Sequence, residues 1–374
     1  MKVIIVLLLL IIANVSQVSA KDYEVLFVLI EYKDIQFQRS YDGVFLMEFW
    51  ENRMFTELNE YFANTFDTRR INLVPFIPEE PVIVFQIQQP HHRNRMINGI
   101  RQADIDINRV INALIYEFNI NDAENLLIYI KMAGIETSAS MHTEEIGIHG
   151  HAYIRQFGQN GQAVGILDRQ VISWAVSGEL TFSNREFRPT EIGIMAHEIL
   201  HLFGMPDKFN RQVGSFCVMG INMWGARLGE TLGSSPAHLS AILRKRMGDD
   251  FTVPEYYWKG ALNRILKINN NNGFYLLEIR NVIGTDIGIH TRNMVGTLDD
   301  FRIEENLNPI LVIWCVAYNR FNNINQRTYS YVSKEITNNQ ISFQLAFNDI
   351  IVQVNENTWT FEMEDYYIPI SSRR

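Results

Sequence analysis

The chain has 374 residues, 47% of them hydrophobic, and a formal net charge of −9. This composition is sufficient for a packed core and excludes an intrinsically disordered chain, and the length allows two domains of ordinary size. The mildly acidic balance contains no block of basic residues, so it argues against a nucleic-acid partner.

The first twenty residues, MKVIIVLLLLIIANVSQVSA, have the pattern of a secretory signal peptide. Lys2 supplies a short positive region, residues 3–13 are apolar, and small residues precede a cleavage site after Ala20. The apolar run is shorter than the roughly 20 residues of a membrane span, and an uncleaved anchor is the alternative. We therefore predict a secreted, extracellular protein that has no membrane contact after signal cleavage.

Strand and helix patterns alternate in the first third of the chain. Apolar runs rich in β-branched and aromatic residues predict buried strands, and apolar residues three and four apart predict helices. Such alternation indicates a sheet packed against helices. The predicted strands are 23–32, 72–77, 82–89 and 125–131, and the predicted helices are 45–66 and 100–117.

The stretch HEILHLFGMPD, residues 197–207, contains the candidate catalytic and metal-binding residues. On a helix, His197 and His201 lie one turn apart on the same face, so their imidazoles can bind one zinc ion. Glu198 can reach a water at that ion and act as general base, and zinc lowers the pKa of this water from about 16 towards neutrality. The alternative is a core helix with two hydrogen-bonded histidines.

Catalytic zinc takes three protein ligands, so a third one is needed. We predict a helix over Thr190–Phe203, capped by Pro189-Thr190 and ended by Gly204 in a left-handed conformation. The chain then returns Asp207 to the metal as the third ligand, in the place of the last His of H-x-x-G-x-x-H. The alternative for this residue is a turn Asp beside Pro206.

A methionine turn is predicted downstream, in the segment SFCVMG. In metzincin-like enzymes, a methionine on a tight turn forms a hydrophobic floor beneath the zinc. We assign this role to Met219, and an ordinary core methionine is the alternative.

Other histidines and the cysteines leave alternatives open. His149 and His151 lie on one face of an extended segment and either line the cleft, hold a second ion or are hydrogen-bonded loop residues. His91 is predicted to be solvated, because its loop contains Pro and Arg. Cys217 and Cys315 either form a disulfide or are two buried thiols.

The character of the chain changes beyond about Val253. A last helix is predicted over 236–247, and short alternating runs separated by Asn-rich turns follow. These runs predict a β-rich, sandwich-like C-terminal domain. They are 261–268, 273–278, 311–318, 329–332, 340–347 and 358–362.

At these motifs the chain resembles the immune inhibitor A-like secreted metallopeptidases. HEILHLFGMPD is similar to their H-E-x-x-H-x-x-G-x-x-D signature, GSFCVMG to their G-x-x-x-x-M-G turn, and SSPAHLSAILRKRMG to their P-x-H-L helix. GFYLLEIRNVIGTDIGI is similar to their Y-L-x-E-x-R stretch, with Glu278 and Arg280 matching. The likeness spans most of residues 23–320 and is specific around 197–248.

The resemblance implies zinc endopeptidase activity, with the ligands and the general base assigned above. Family members usually carry a long propeptide, whereas here the catalytic domain is expected directly after the signal, which leaves latency by a pro-segment open. An Asp-rich, Gly-containing loop of the family reads FNINDAEN here, with Asp122 and Glu124 but no Gly. Structural calcium at that loop is therefore left open.

We predict an α+β protein in which a metzincin-like zinc peptidase domain, with a mixed sheet and an active-site helix, precedes a β-rich, sandwich-like domain. The segments are a signal peptide (1–20), a catalytic domain (21–252) and a C-terminal domain (253–374). The predicted function is that of a secreted, monomeric zinc endopeptidase acting on polypeptides. The alternatives are a catalytically inactive zinc-binding or interaction protein of the same fold, a zinc hydrolase of a non-peptide bond, and a structural extracellular protein.

Overall fold

The fold is taken from a computed structural model, which describes about the first two-thirds of the chain most fully. The predicted signal peptide before Ala20, the loop with Asp122 and Glu124, and His149 lie outside the described residues. The described residues are 20–66, 70–91, 96–97, 100–120, 126–136, 147–148, 151–153, 166–167, 170–171, 174–183, 186–207, 217–226, 230–247, 258–259, 265–270, 273–280, 310–318, 324–332, 340–345, 348–355 and 358–363.

The described elements include both strands and helices up to α5, and those described from β15 onward are strands. The first strands are β1 (Ala20–Tyr32), β2 (Ser40–Tyr41), β3 (Val44–Phe45), β4 (Arg70–Pro75), β5 (Ile83–Ile87), β6 (Met96–Ile97), β7 (Ile100–Arg101), β8 (Leu127–Glu136), β9 (Gly147–Ile148), β10 (His151–Tyr153), β11 (Ile166–Leu167), β12 (Gln170–Val171), β13 (Trp174–Ser183) and β14 (Glu186–Pro189). The helices are α1 (Leu46–Asn52), α2 (Leu58–Thr65), α3 (Gln102–Glu117), α4 (Ile192–Leu202) and α5 (Ala241–Arg246), with a π-helical turn at Arg53–Glu57 and a 3-10 turn at Ile221–Trp224. The later strands are β15 (Trp258–Lys259), β16 (Ile265–Asn270), β17 (Gly273–Arg280), β18 (Ile310–Tyr318), β19 (Ile324–Val332), β20 (Gln340–Leu345), β21 (Asn348–Asn355) and β22 (Thr358–Met363).

A mixed sheet of eight strands lies at the centre, with the order β10-β13-β8-β1-β4. β1 pairs in parallel with β8 on one side and, on the other, with β4 along its first half and β5 along its second half. β8 also pairs in parallel with β13 and β9. β10 and β14 run antiparallel to β13 along its outer edge, so a parallel centre ends in an antiparallel edge.

The sheet is buried on both faces, as its near-continuous apolar strands predict. Side chains of a strand alternate between the two faces. In β1, Phe27 and Leu29 therefore join the core that contains α1, α2 and α4, whereas Val28 and Ile30 join the core that contains α3. Each such burial contributes about 1.5–3 kcal/mol. The motif helix α4 thus packs on the face of the sheet opposite to α3.

The helix predicted over 45–66 is confirmed as one continuous run, and a π-helical turn interrupts it in the middle. Such turns often occur at functional sites, because they change the direction of the side chains that follow. Here Arg53, in the turn, lies with its Nη1 3.2 Å from a carboxylate oxygen of Glu57 and also forms an ion pair with Glu191, directly before α4. The turn therefore connects α1 and α2 to the start of the motif helix.

The start predicted for the last helix, at Pro236, is wrong, because α5 begins only at Ala241. The carbonyl oxygen of Ala237, which in such a helix would accept from the N–H of Ala241, accepts a hydrogen bond from the hydroxyl of Tyr61 at 2.7 Å. The N–H of Ser240 donates to Sγ of Cys217. Tertiary hydrogen bonds thus replace the first helical turn.

The described strands from β15 onward belong to two antiparallel sheets, with the orders β15-β22-β21-β20 and β16-β17-β18-β19. The sandwich-like packing of these sheets, the metzincin-like character of the first domain and the boundary at 252/253 stay predictions. Among the described helices, none is both long and apolar enough to cross a membrane.

Candidate metal centre

Helix α4 carries the histidine motif and is buried from residue 192 to residue 200. Near its start, the N–H of Gly193 donates to the carbonyl oxygen of Gly233 at 3.0 Å. A Cβ at Gly193 would overlap the carbonyl oxygen of Met223, so only glycine permits this close approach of the backbones. The helix is therefore held tightly between the sheet and the segment after Met219.

The two histidines of the motif meet on one face of α4, as their spacing predicts. Their Nε2 atoms are 3.1 Å apart, and the rings lie edge to face with centroids 4.7 Å apart. His197 is buried and His201 is partly buried, so the pair opens towards solvent on one side.

The end of α4 brings Asp207 to the same point. Gly204 has a φ of 78°, the left-handed conformation predicted for the residue that ends the helix. The N–H of Met205 then donates to the carbonyl oxygen of Leu200, which turns the chain back along the helix. Oδ1 of Asp207 lies 3.1 Å from Nε2 of His197 and 3.2 Å from Nε2 of His201.

Main-chain carbonyl groups fix the orientation of both imidazole rings. Nδ1 of His197 lies 2.9 Å from the carbonyl oxygen of Val218, and Nδ1 of His201 lies 2.6 Å from that of Met205. A carbonyl oxygen only accepts, so each Nδ1 carries the hydrogen, and in the neutral ring each Nε2 presents a lone pair. Metal-binding histidines are oriented by such bonds at the other ring nitrogen.

The donor set fits a divalent metal ion. Two lone pairs and a carboxylate oxygen that converge at 3.1–3.2 Å repel one another unless a cation lies among them. In a tetrahedral zinc site with bonds of about 2.0–2.2 Å, ligand atoms lie about 3.3 Å or slightly more apart, so the observed spacing is close to that of three zinc ligands.

Glu198 follows His197 in α4 and is almost fully buried, with 2% of its surface exposed. A carboxylate oxygen is within 4.8 Å of the metal-binding atoms of both histidines, and Oε2 has no hydrogen-bond partner among the described residues. Burial raises the pKa of Glu198 well above its ordinary value, and the charges of Glu136 and Asp207 raise it further. Its carboxyl group is thus close enough to act beside a metal but is farther from the two imidazoles than Asp207.

Burial also acts on Asp207, where it would raise the pKa, but the two imidazoles beside its carboxylate outweigh burial and hold the pKa below its ordinary value. The carboxylate therefore stays ionised at neutral pH, which a metal ligand requires.

Met219 lies in the turn over 217–220 and is fully buried. The preceding residue, Val218, provides the carbonyl oxygen that orients His197. The structure thus places the predicted methionine turn against the motif helix, and the role of Met219 as a floor under zinc stays a prediction. Cys217, in the same turn, is a buried thiol rather than half of a disulfide, and its Sγ accepts a hydrogen bond from the N–H of Ser240.

Two further histidine predictions have different outcomes. His91 was expected in solvent but is buried, because its ring packs edge to face on Tyr32 with centroids 4.7 Å apart. Its main-chain N–H donates to a carboxylate oxygen of Asp34. For His151 the structure describes only the backbone, in β10, so its role in a cleft or a second metal site is not tested.

Three buried polar residues of the neighbouring sheet were not predicted: Tyr129, Lys131 and Glu136, all in β8. Burial raises the pKa of Tyr129 well above its ordinary value, and the charges of Glu198 and Glu136 contribute to the rise. The sequence contained one signal for this group, a lysine within the otherwise apolar run NLLIYIKMAG.

Comparisons with known proteins identify no family. No family model matches the chain, and no curated protein matches it. Among solved structures, the chain is weakly similar to wild-type OgpA from Akkermansia muciniphila, with 12% identity and a TM-score of 0.34 over 94% of this chain and 95% of that one.

A structure of catalytically inactive OgpA in complex with an O-glycopeptide substrate, glycodrosocin, gives 9% identity and a TM-score of 0.31 over 94% of this chain and 95% of that one. At these TM-scores the likeness carries no argument about the fold or the chemistry of this chain.

Proposed function

We propose that this chain is a zinc-dependent endopeptidase, with His197, His201 and Asp207 as zinc ligands and Glu198 as general base. The observation that carries the proposal is the convergence of two Nε2 atoms and one carboxylate oxygen at 3.1–3.2 Å. Both Nδ1 atoms donate to carbonyl oxygens, so all three converging atoms are electron-pair donors. Two imidazoles and one carboxylate are a common ligand set of catalytic zinc.

The proposed mechanism assigns one task to each group. Bound zinc would lower the pKa of a water and polarise the scissile carbonyl group. Glu198 takes the proton of the attacking water and then transfers it to the leaving amine. Its burial supports this role, because a carboxylate with a raised pKa accepts a proton more readily near neutral pH. Val218 and Met205, through their carbonyl oxygens, keep the imidazoles in the binding tautomer.

The wider assignments belong to the same proposal. They comprise secretion after cleavage at Ala20, a metzincin-like domain over 21–252, a β-rich domain over 253–374, and membership of the immune inhibitor A-like group. They are supported by the sequence motifs at 197–207 and 214–220 and by the apolar N-terminal segment. A polypeptide is the expected substrate.

The test combines metal analysis with a cleavage assay on casein, using the purified chain without residues 1–20. The wild type should retain about one zinc per chain and cleave casein, a chelator should stop cleavage, and added zinc should restore it. Glu198→Ala should retain zinc while its kcat falls by about 10²–10⁴-fold.

Glu60→Ala, at a carboxylate on α2 outside the site, is the matched control and should behave as the wild type. A wild type that retains no zinc overturns the proposal. Zinc retention without cleavage of any polypeptide would favour the inactive interaction protein instead, and cleavage by Glu198→Ala at the wild-type rate would exclude the proposed base.

A further inference from the structure

A lysine is buried in the middle of the sheet, on the face that α4 covers. Lys131 has no exposed surface. In β8 it lies between Tyr129 and Ala133, whose side chains belong to the core shared with α4. Its register partner on β13 is Ser177. The amine is therefore enclosed between the sheet and the helices that carry and support the histidine motif.

The groups in direct contact with the amine are neutral, and the charges of Glu136, Glu179, Glu191 and Arg53 act on it from farther away. Nζ donates to Oγ of Ser177 at 2.7 Å and to Oγ1 of Thr190, and it lies 4.7 Å from the centroid of the Trp50 ring. It forms no ion pair within the part of the chain that the structure describes. Burial of a charged amine without a partner carboxylate is costly, and an apolar side chain of similar length would fill the space at a lower cost. Packing alone does not explain a lysine here.

The bond to Thr190 acts at the start of α4. Thr190 comes directly before Glu191, the N-cap of the helix. Its N–H donates to the carbonyl oxygen of Glu179 at 2.7 Å, and its hydroxyl donates to that of Gly178 at 3.0 Å. The hydroxyl has its hydrogen committed to Gly178, so its lone pairs are available to Lys131. Three hydrogen bonds thus fix the point where the chain enters α4.

His197 follows Thr190 by seven residues, which is about two helical turns. A rigid helix transmits a shift at its start to both histidines, whereas Val218, whose carbonyl oxygen orients His197, lies in a different segment. Because misplacement of reacting groups by about 1 Å can cost about 10²-fold in rate, the geometry of the site depends on where α4 begins.

We propose that Lys131 is a positioning residue, which fixes Thr190 and hence the histidine-bearing helix α4 against the sheet. This inference rests on the proposed zinc site. The role is indirect, because Lys131 touches neither the histidines nor Asp207 among the contacts described. Ser177 contributes as the second anchor of the amine, and its Oγ is in turn bound to the hydroxyl of Tyr129 at 2.7 Å.

The test compares Lys131→Met, which keeps the length of the side chain, with Lys33→Met, at an exposed lysine after β1. Zinc affinity is measured by competition with a chelator. The values of kcat and KM are measured on a peptide substrate, and the free energy of unfolding is measured in urea at pH 6. Lys131→Met should be at least as stable as the wild type, because a buried charge is removed. Its zinc affinity should fall about 10–100-fold and its kcat at least about 10-fold, with KM changed less than about 3-fold. Lys33→Met should match the wild type in all four quantities.

Variants of Thr190 test the route of the effect. Thr190→Val removes the hydroxyl and should reproduce the losses of Lys131→Met, whereas Thr190→Ser keeps the hydroxyl and should restore them. The double variant Lys131→Met/Thr190→Val should be no worse than either single variant, since both remove the same link. If Lys131→Met does not fold, the comparison of Thr190→Val with Thr190→Ser tests the positioning role instead.

The inference is overturned if folded Lys131→Met, or Thr190→Val, binds zinc and turns over substrate as the wild type does. It is also overturned if their losses simply add in the double variant. A wild type without zinc or cleavage overturns the proposed function instead, so the two failures are distinguishable.

Discussion

Nδ1 of His197 lies 2.9 Å from the carbonyl oxygen of Val218, so a residue directly before Met219 orients an imidazole on α4. The helix and the methionine turn, which are about twenty residues apart in the chain, are thus coupled by one hydrogen bond. The backbone position of the turn should therefore matter to zinc binding even where its side chains do not touch the ion.

This coupling predicts different results for two substitutions of Met219, which is fully buried. Met219→Ala leaves a cavity in the core that α4 shares and should cost about 2–5 kcal/mol in unfolding free energy. Zinc affinity should fall about 10-fold or more as the turn relaxes. Met219→Leu nearly conserves volume and should cost less than about 1.5 kcal/mol. Urea unfolding and zinc competition measure both effects, and equal behaviour of the two variants would argue against a packing role.

Asp207 should be needed for zinc binding because its Oδ1 is equally close to both imidazoles. Asp207→Ala removes a proposed ligand and should weaken zinc binding by at least about 100-fold, more than the loss of a group that only orients a ligand. Asp207→His supplies another ligand type and should recover part of the affinity. Asp22→Ala, at an exposed aspartate in β1, is the control. Unchanged affinity in Asp207→Ala would leave the third ligand to another residue.

Gly193 and Gly204 predict contrasting costs for the same change to alanine. In Gly193→Ala the new Cβ meets the carbonyl oxygen of Met223, a backbone atom that cannot rotate away, so the unfolding free energy should fall by at least about 2 kcal/mol. In Gly204→Ala nothing lies within 4 Å, and only the left-handed φ of 78° is unfavourable, at about 1 kcal/mol. Urea denaturation orders the two variants, and the reverse order would contradict the close helix contact.

Lys131 predicts a pH-dependent difference in stability between the wild type and Lys131→Met. Burial lowers the pKa of Lys131 from 10.5 to about 7, with Glu136, Glu179 and Glu191 raising it and Arg53 lowering it. Below pH 7 the amine is protonated in both the folded and the unfolded state, so the cost of burying the charge is fully present. Between pH 7 and 10.5 the unfolded state binds more protons, so wild-type stability rises with pH relative to the variant.

The advantage of Lys131→Met should thus be a few kcal/mol at pH 6, at about 1.4 kcal/mol per pKa unit, and should shrink steadily towards pH 10. Urea unfolding of both proteins across this range measures the difference. A difference that is independent of pH would show that the amine has the same pKa in both states.

The motif helix was predictable from sequence because local rules determine it. The spacing of His197 and His201 specifies a common helix face, and Gly204 specifies the end, so the approach of Asp207 follows from chain geometry alone. The carbonyl oxygens of Val218 and Met205 were not predictable in this way. Every residue type has a main-chain carbonyl oxygen, so the sequence does not indicate which of them accepts from an imidazole. Only the folded backbone shows it.

Strand β13 was not predicted, and its sequence WAVSGELTFS shows the reason. Ser177, Glu179 and Thr181 are polar side chains that face the interior, which makes the strand resemble an exposed segment. The hydrogen bonds of two of them come from distant elements: Ser177 accepts from Nζ of Lys131, and Glu179 accepts from the N–H groups of Gln38 and Gly134. A run of apolar residues predicts a buried strand, but the polar residues of β13 are buried because they bond to partners that are remote in sequence. The sequence pattern of the strand does not show those partners.

Because both imidazoles are oriented by main-chain oxygen atoms, these two hydrogen bonds do not depend on which side chain stands at position 205 or 218. Any buried side chain that keeps the path of the backbone there should leave both rings in place. Insertions or deletions in the turns that contain Met205 and Val218 would instead displace the carbonyl oxygens and so change the orientation of both imidazoles. Drift in this protein should therefore preserve loop lengths around the site more strictly than the residues within those loops.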